Sequence, residues 1–130
     1  EMCIRDRSTA GPKRIALVTD AMSATGQPDG DYILGQLPVK VVDGRARLLA
    51  ADGSLGAIAG STLTMGRAVE FVTSVVGIPL GQVAVMAATT PAKLHGLDEV
   101  GVIEEGHWAD LCLTDAKGHL VRVIHRGEAV

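Results

Sequence analysis

Aromatic side chains are nearly missing from this sequence: Tyr32, Phe71 and Trp108 make up 2% of its 130 residues. That scarcity all but excludes stacking platforms for single-stranded nucleic acid, and leaves a core to be assembled from Ala, Val, Leu and Ile. Basic charge is not in excess either. Lys and Arg number 12 against 15 Asp and Glu, for a net charge of −3 and a pI near 5.7, the reverse of a polyanion-binding face. Cysteine is scarce. Cys3 and Cys112 cannot build a multi-bridge framework, and no CxxC pair offers itself to zinc. No apolar run has the length that spans a bilayer, and the N-terminus lacks the layout of a secretory signal. These shortages lead us to expect a soluble protein of a reducing cytoplasm, with neither nucleic acid nor membrane as a partner. What is present is ordinary for a globular chain: 47% hydrophobic and 21% charged residues in 13.5 kDa, enough for one domain or a piece of a larger one.

The first residues read differently from the rest. EMCIRDR is charged, has no period and starts on Glu rather than Met. It resembles translated adaptor sequence of the kind that heads gene fragments assembled from environmental reads. Residues 1–13 are therefore expected to be foreign or disordered, and the chain to begin in mid-protein.

Residues 14–20, RIALVTD, form a short continuous apolar run with a polar end, which suits a strand buried on both faces of a parallel sheet or barrel. A loop rich in small residues and breakers follows, residues 21–30. Residues 31–34, 37–42 and 45–49 read as β, with Asp43-Gly44 as a hairpin turn between alternating stretches. Residues 59–62, AGST, are expected to open a helix, with Ser61 or Thr62 as its N-cap. Met65, Val69, Val72 and Val76 give that helix an apolar stripe, and Gly77 ends it as the left-handed residue beyond the last turn. A second helix is expected from Pro79-Leu80 to Ala88. A short third one follows, capped by Thr90, with Pro91 in its first turn and Gly96 as its stop. From Val100 the period becomes two, and strands are expected over residues 101–106, 109–114 and 120–124, with a turn at residues 126–128.

Three places could carry chemistry. Asp20 ends the buried run, where α/β barrels and open sheets carry their reacting groups. A carboxylate there is ionised at neutral pH and can accept a proton from an activated water; the alternative is an Asp that bonds its own loop backbone. The small residues Ala59, Gly60 and Ser61 at a helix start would let backbone N–H groups approach an oxygen-rich ligand, or they are an ordinary cap. His95, His107, His119 and His125 fall in no HxH or HExxH spacing, so a metal site from this chain alone is not expected. Met65 and Met86 read as core fillers. There is no phosphate loop of the GKS/T type and no GxSxG elbow.

From Arg14 to Val130 the sequence resembles the C-terminal part of the N-acetylglucosamine-6-phosphate deacetylases, a family of the amidohydrolase superfamily. The most specific pieces are LVTDAM at residues 17–22 with Gly26 following, and GAIAGSTLTM at residues 56–65. AATTPA at residues 87–92 with HGL at 95–97, and Gly101-x-Ile-x-x-Gly106 with Ala109-Asp-Leu111, are shared more widely among amidohydrolases, including dihydroorotase-like and deaminase branches.

The resemblance implies an α/β fold, a (β/α)8 metal-dependent hydrolase barrel with a small β-sandwich built from both chain ends. Residues 14–99 would hold the last barrel strand, a β-hairpin insertion and the closing helices, and residues 100–130 the sandwich strands, including Trp108. A barrel takes roughly 250 residues, so only its closing portion would be here. The implied reaction is hydrolysis of the N-acetyl group of N-acetylglucosamine 6-phosphate to glucosamine 6-phosphate and acetate. A divalent metal, zinc or iron, would polarise a water and the acetamide carbonyl in the full-length parent, through ligands not present in this chain. Asp20 would take the water proton and deliver it to the departing amine. Ile58, Ala59, Gly60 and Ser61 would line the pocket for the amino-sugar phosphate. The parent is expected to be a homodimer, and this chain alone to be inactive. Another amidohydrolase, or a non-catalytic α/β binding module using the loop at residues 21–30, are the competing readings.

Overall fold

The computed structural model describes residues 10–130. The expectation of a foreign or disordered stretch over residues 1–13 lies outside the described residues as far as residue 9. Pro12–Arg14 form a 3₁₀ turn, and the Pro12 carbonyl accepts the Thr90 hydroxyl at 2.9 Å, so an unstructured stretch does not extend to residue 13. The chain separates into two compact units. One is Thr19–Thr64; the other is Met65–Val130 with the described residues up to Val18. The change of period near residue 100 is not a unit boundary.

The Thr19–Thr64 unit is a four-stranded antiparallel meander in sequential order: β1 (Gly30–Leu34), β2 (Leu37–Val42), β3 (Arg45–Leu49) and β4 (Leu55–Ile58). The Asp43-Gly44 hairpin forms as its sequence dictates. Val42 pairs with Arg45, and both turn residues sit at positive φ, 51° and 67°, the type I′ geometry that matches strand twist. β4 was not legible beforehand; its pairing with β3 shifts register between Arg47 and Leu49, the mark of a bulge. Strand alternation sends Val39, Val41 and Ala46 to one face, where they are at most 2% exposed. Met22 and Ala24, from the loop expected to be a mere connection, close the same cluster, with Tyr32, Leu34, Leu48 and Ala59 around it. Each fully buried valine contributes about 2 kcal/mol.

Residues 15–18 of the other unit, and Thr19 at the start of this one, are extended but belong to no strand. This corrects the expected buried strand. Leu17 N–H bonds the Met86 carbonyl at 2.9 Å, and Val18 is 76% exposed. An apolar run of stiff side chains sets an extended backbone, but a strand also needs a neighbour to pair with, and no described residue runs alongside.

α1 (Met65–Ser74) starts later than expected. Its buried contact is Ala68, while Met65 is 36% exposed and no core residue. Gly77 (φ 76°) does end it, and the Ile78 N–H reaches back to the Val72 carbonyl at 3.1 Å, satisfying one of the helix's last carbonyls. α2 (Leu80–Ala84), a π turn (Val85–Thr89) and α3 (Thr90–Leu94) follow one another without a break, since Ala84, Thr89 and Thr90 all have helical φ and ψ. Thr90 is thus not a cap; its N–H bonds the Val85 carbonyl five residues back. Pro91 has no N–H and its ring crowds the preceding turn, and the π turn absorbs both. Met86 and Val83 are buried here, at 3% and 0%.

The expected strand over residues 101–106 does not form. Gly101 and Gly106 have φ near 88° and 89°, outside the β region. The Gly101 carbonyl instead takes the Thr89 hydroxyl at 2.6 Å. β5 (Leu111–Thr114), β6 (Leu120–His125) and β7 (Glu128–Ala129) make a three-stranded antiparallel sheet. Its first turn sits on α1, with the Ser74 hydroxyl donating to the Lys117 carbonyl at 2.7 Å. Among the described residues no helix is long and apolar enough to cross a membrane.

Candidate active-site loops in the Thr19–Thr64 unit

Asp20 is exposed and takes φ 51°, a left-handed conformation that costs a non-glycine residue about 1 kcal/mol. Asp tolerates it better than most because its carboxylate can bond local backbone. Here it does not: among the described residues the Asp20 carboxylate has no hydrogen-bond partner, so the loop-capping alternative does not describe it. An exposed carboxylate without a partner is free to exchange protons with a molecule at its side.

The chain beyond Asp20 runs beside residues 58–61. Ala21 and Ser61 form an isolated parallel bridge. The Ser61 carbonyl accepts the Met22 N–H at 2.9 Å and the Thr25 hydroxyl at 3.1 Å. Gly60 lies against Met22: a Cβ at Gly60 would stand 3.2 Å from the Met22 Sδ and 3.3 Å from its Cβ, and the backbone there has φ 74°. Both constraints require glycine. Ala59 N–H bonds the Ala46 carbonyl at 3.0 Å, tying the loop to β3. Ile58, at the end of β4, pairs with Arg47 and leaves its side chain 74% exposed. The five candidates, Asp20, Ile58, Ala59, Gly60 and Ser61, are thus brought into two adjacent segments of one unit.

The capping role expected of Ser61 and Thr62 is not found. α1 begins at Met65, so its first-turn N–H groups are not those of residues 59–62. Instead the Ser61 hydroxyl accepts the Leu63 N–H at 3.0 Å, which leaves its own proton available to donate. The Thr62 hydroxyl donates to the Gly44 carbonyl. Of the two residues that hold Ser61, Met22 is the last residue of the LVTDAM motif, whereas Thr25 had no marker beyond its place in a small-residue loop.

Two of the four histidines engage carboxylates, while the buried Nδ1 of His107 has no hydrogen-bond partner among the described residues. His119 Nδ1 lies 2.6 Å from Asp115 and Nε2 3.4 Å from Glu70; His125 Nδ1 lies 3.1 Å from Asp110. The hydrogen bond that His119 donates to Asp115 raises the His119 pKa above its ordinary value, and the same bond lowers that of Asp115. Asp52 is lowered by its bonds from Ser54 in the β3–β4 turn. Among the described residues no three His, Cys, Asp or Glu side chains converge to hold a metal ion.

Comparison with known proteins agrees with the motifs. A family model described as the amidohydrolase family matches residues 9–130. The N-acetylglucosamine-6-phosphate deacetylase of Vibrio furnissii is 35% identical over 118 residues, covering 90% of this chain and 28% of that protein. A putative N-acetylgalactosamine-6-phosphate deacetylase of Escherichia coli K12 is 33% identical, over 89% of this chain and 67% of its own length. Among solved structures, the N-acetyl-D-glucosamine-6-phosphate deacetylase of Mycobacterium smegmatis, as a mutant in complex with N-acetyl-D-glucosamine-6-phosphate, superposes with a TM-score of 0.84 at 36% identity, over 98% of this chain and 33% of that one. The enzyme from Thermotoga maritima gives 0.81 at 38%, over 98% and 34%. The chain thus spans about a third of the length of most of these relatives. With a match over nearly its whole length, it belongs to the amidohydrolase family.

Proposed function

We propose that this chain is the C-terminal portion of an N-acetylglucosamine-6-phosphate deacetylase. The extended residues 15–19 become its last barrel strand once the strands beside them are present, Asp20 at their end is the catalytic carboxylate, residues 21–64 carry the sugar-facing loop, and β5–β7 belong to a small β-sandwich. The observation that carries this reading is Asp20: an exposed carboxylate with no partner among the described residues, one residue from the Ala21–Ser61 bridge.

Asp20 takes a proton from the water that attacks the acetamide carbonyl. It returns that proton to the amide nitrogen as the C–N bond breaks, so that the sugar leaves as a neutral amine beside acetic acid, whose remaining proton then passes to the amine or to solvent to leave acetate. Residues 58–61 orient the substrate. The Ile58 side chain supplies an apolar wall, and Ser61 offers a hydroxyl proton to an acceptor oxygen of the sugar or its N-acetyl group. The described residues do not fit a metal ion, since no three donors converge. The divalent metal of the whole enzyme, zinc or iron in our reading, takes its ligands from outside them. The exposed free thiol of Cys112 accords with a cytoplasmic setting. Homodimerisation of the full-length enzyme is part of the same proposal and is tested by light scattering.

The deciding experiment grafts residues 10–130 onto the Vibrio furnissii deacetylase in place of its matching segment. The chimera is expected to release acetate from N-acetylglucosamine 6-phosphate, and Asp20→Asn to lower kcat by about 10³. A folded chimera without turnover overturns the reading. The N-acetylgalactosamine-6-phosphate deacetylases among the relatives, at 33% identity, favour a second reading in which the 4-epimer is the substrate; comparing kcat/KM for the two sugars decides between them.

A further inference from the structure

We infer that Thr25 is a positioning residue for this reaction, holding the substrate loop in register with Asp20 through the Ser61 carbonyl. The inference rests on the deacetylase reading above. A turn closed by the Thr25 N–H on the Met22 carbonyl, at 3.0 Å, folds Thr25 back toward Ser61. Its anchors are Met22 and Ala24, 7% and 2% exposed in the core of the unit. The Thr25 hydroxyl and the Met22 N–H then occupy the Ser61 carbonyl from the same loop, at 3.1 and 2.9 Å. A carbonyl oxygen has two lone pairs, and both are engaged.

This clamp fixes the part of the loop that faces a ligand. With its carbonyl held by the loop that follows Asp20, and its hydroxyl oxygen taken by the Leu63 N–H, Ser61 has one group left to direct outward, its hydroxyl proton. Gly60 cannot swing away, being packed on Met22. The Ala21–Ser61 bridge and the Met22 N–H bond hold the chain next to Asp20 against the same residue. Loss of the Thr25 hydroxyl therefore removes one of the two bonds on the Ser61 carbonyl and loosens Ser61, while Asp20 stays attached. The bond is partly buried and joins residues 36 apart in sequence, so no local element replaces it.

The test uses the chimera described above. Thr25→Val keeps the shape and removes the donor. KM for N-acetylglucosamine 6-phosphate is expected to rise about fivefold, the size of one lost hydrogen bond, with kcat within about twofold and the pH dependence of kcat unchanged. Thr25→Ser is expected to restore KM. A fall in kcat or melting temperature with KM unchanged makes Thr25 merely structural and overturns the inference. Should the valine variant not fold, Thr25→Ala against Thr25→Ser gives the same contrast of one oxygen, and the same split in KM is required. An unmutated chimera without turnover counts against the deacetylase reading instead. Amide exchange in the 130-residue chain then decides the clamp: exchange at Met22 is expected to quicken about tenfold on removing the hydroxyl, and equal rates overturn it.

Discussion

Gly60 shows how much one position can carry. It needs both a left-handed backbone and space for Met22, so Gly60→Ala combines a conformational cost of about 1 kcal/mol with displacement of a packed sulfur. We expect a loss of roughly 1–3 kcal/mol by the same principles, read as a lower urea midpoint at constant slope. His119 is a different case, governed by charge. Its pKa is raised above 6.5 chiefly by Asp115, with Glu70 adding to the effect, and that of Asp115 is lowered below 3.8. The stabilisation from His119 is fully present below 6.5 and is lost as pH rises through its raised value. The part due to Asp115 is present above 3.8 and is lost as pH falls through its lowered value. The pair thus contributes most in mildly acidic solution, and salt weakens it because both side chains are nearly half exposed. An NMR titration of the His119 ring is expected to give a midpoint above the ordinary one, and Asp115→Asn to bring it back; an unchanged midpoint in the variant would assign the shift to some other group.

Turn chemistry and helix period were readable in the sequence because each depends on a few adjacent residues. Asp43-Gly44 accepted its positive φ values, and Gly77 and Gly96 stopped helices where expected. The errors fell where a neighbour decides. Thr90-Pro91 has the local form of a helix start, yet the preceding helix continues through it, because a π turn accommodates the proline and the Thr90 hydroxyl is taken by Pro12. Residues 101–106 carry the β-branched pair Val102-Ile103, but Gly101 is pressed into α3, where an added Cβ would meet the Ala92 Cβ at 2.6 Å. Gly101→Ala is therefore expected to cost about 2–4 kcal/mol, the range of a severe overpacking with backbone strain. A thermal melt within one degree of the parent would show that this segment yields easily.

The described chain as a whole leaves much apolar surface in water. Val18, Phe71, Val75, Leu94 and Ile103 are 56% to 87% exposed. The 130-residue protein by itself is expected to enhance the fluorescence of ANS and to show no deacetylase activity, whereas the active chimera should bind little dye. Metal-dependent turnover by the purified chain would count against the assignment of these residues as a portion of the enzyme. The sequence by itself determined the family, through LVTDAM and GAIAGSTLTM, and with it the hairpin, the helix stops and the five candidate residues, all of which are set by side-chain chemistry over short spans. Only the tertiary structure decided that β4 joins the meander, that residues 15–19 lack a strand partner among the described residues, and that the loop after Asp20 grips Ser61. Those outcomes depend on backbone groups that meet only once the chain has folded back on itself, and every backbone carries the same donors and acceptors, so no local pattern announces which of them will pair.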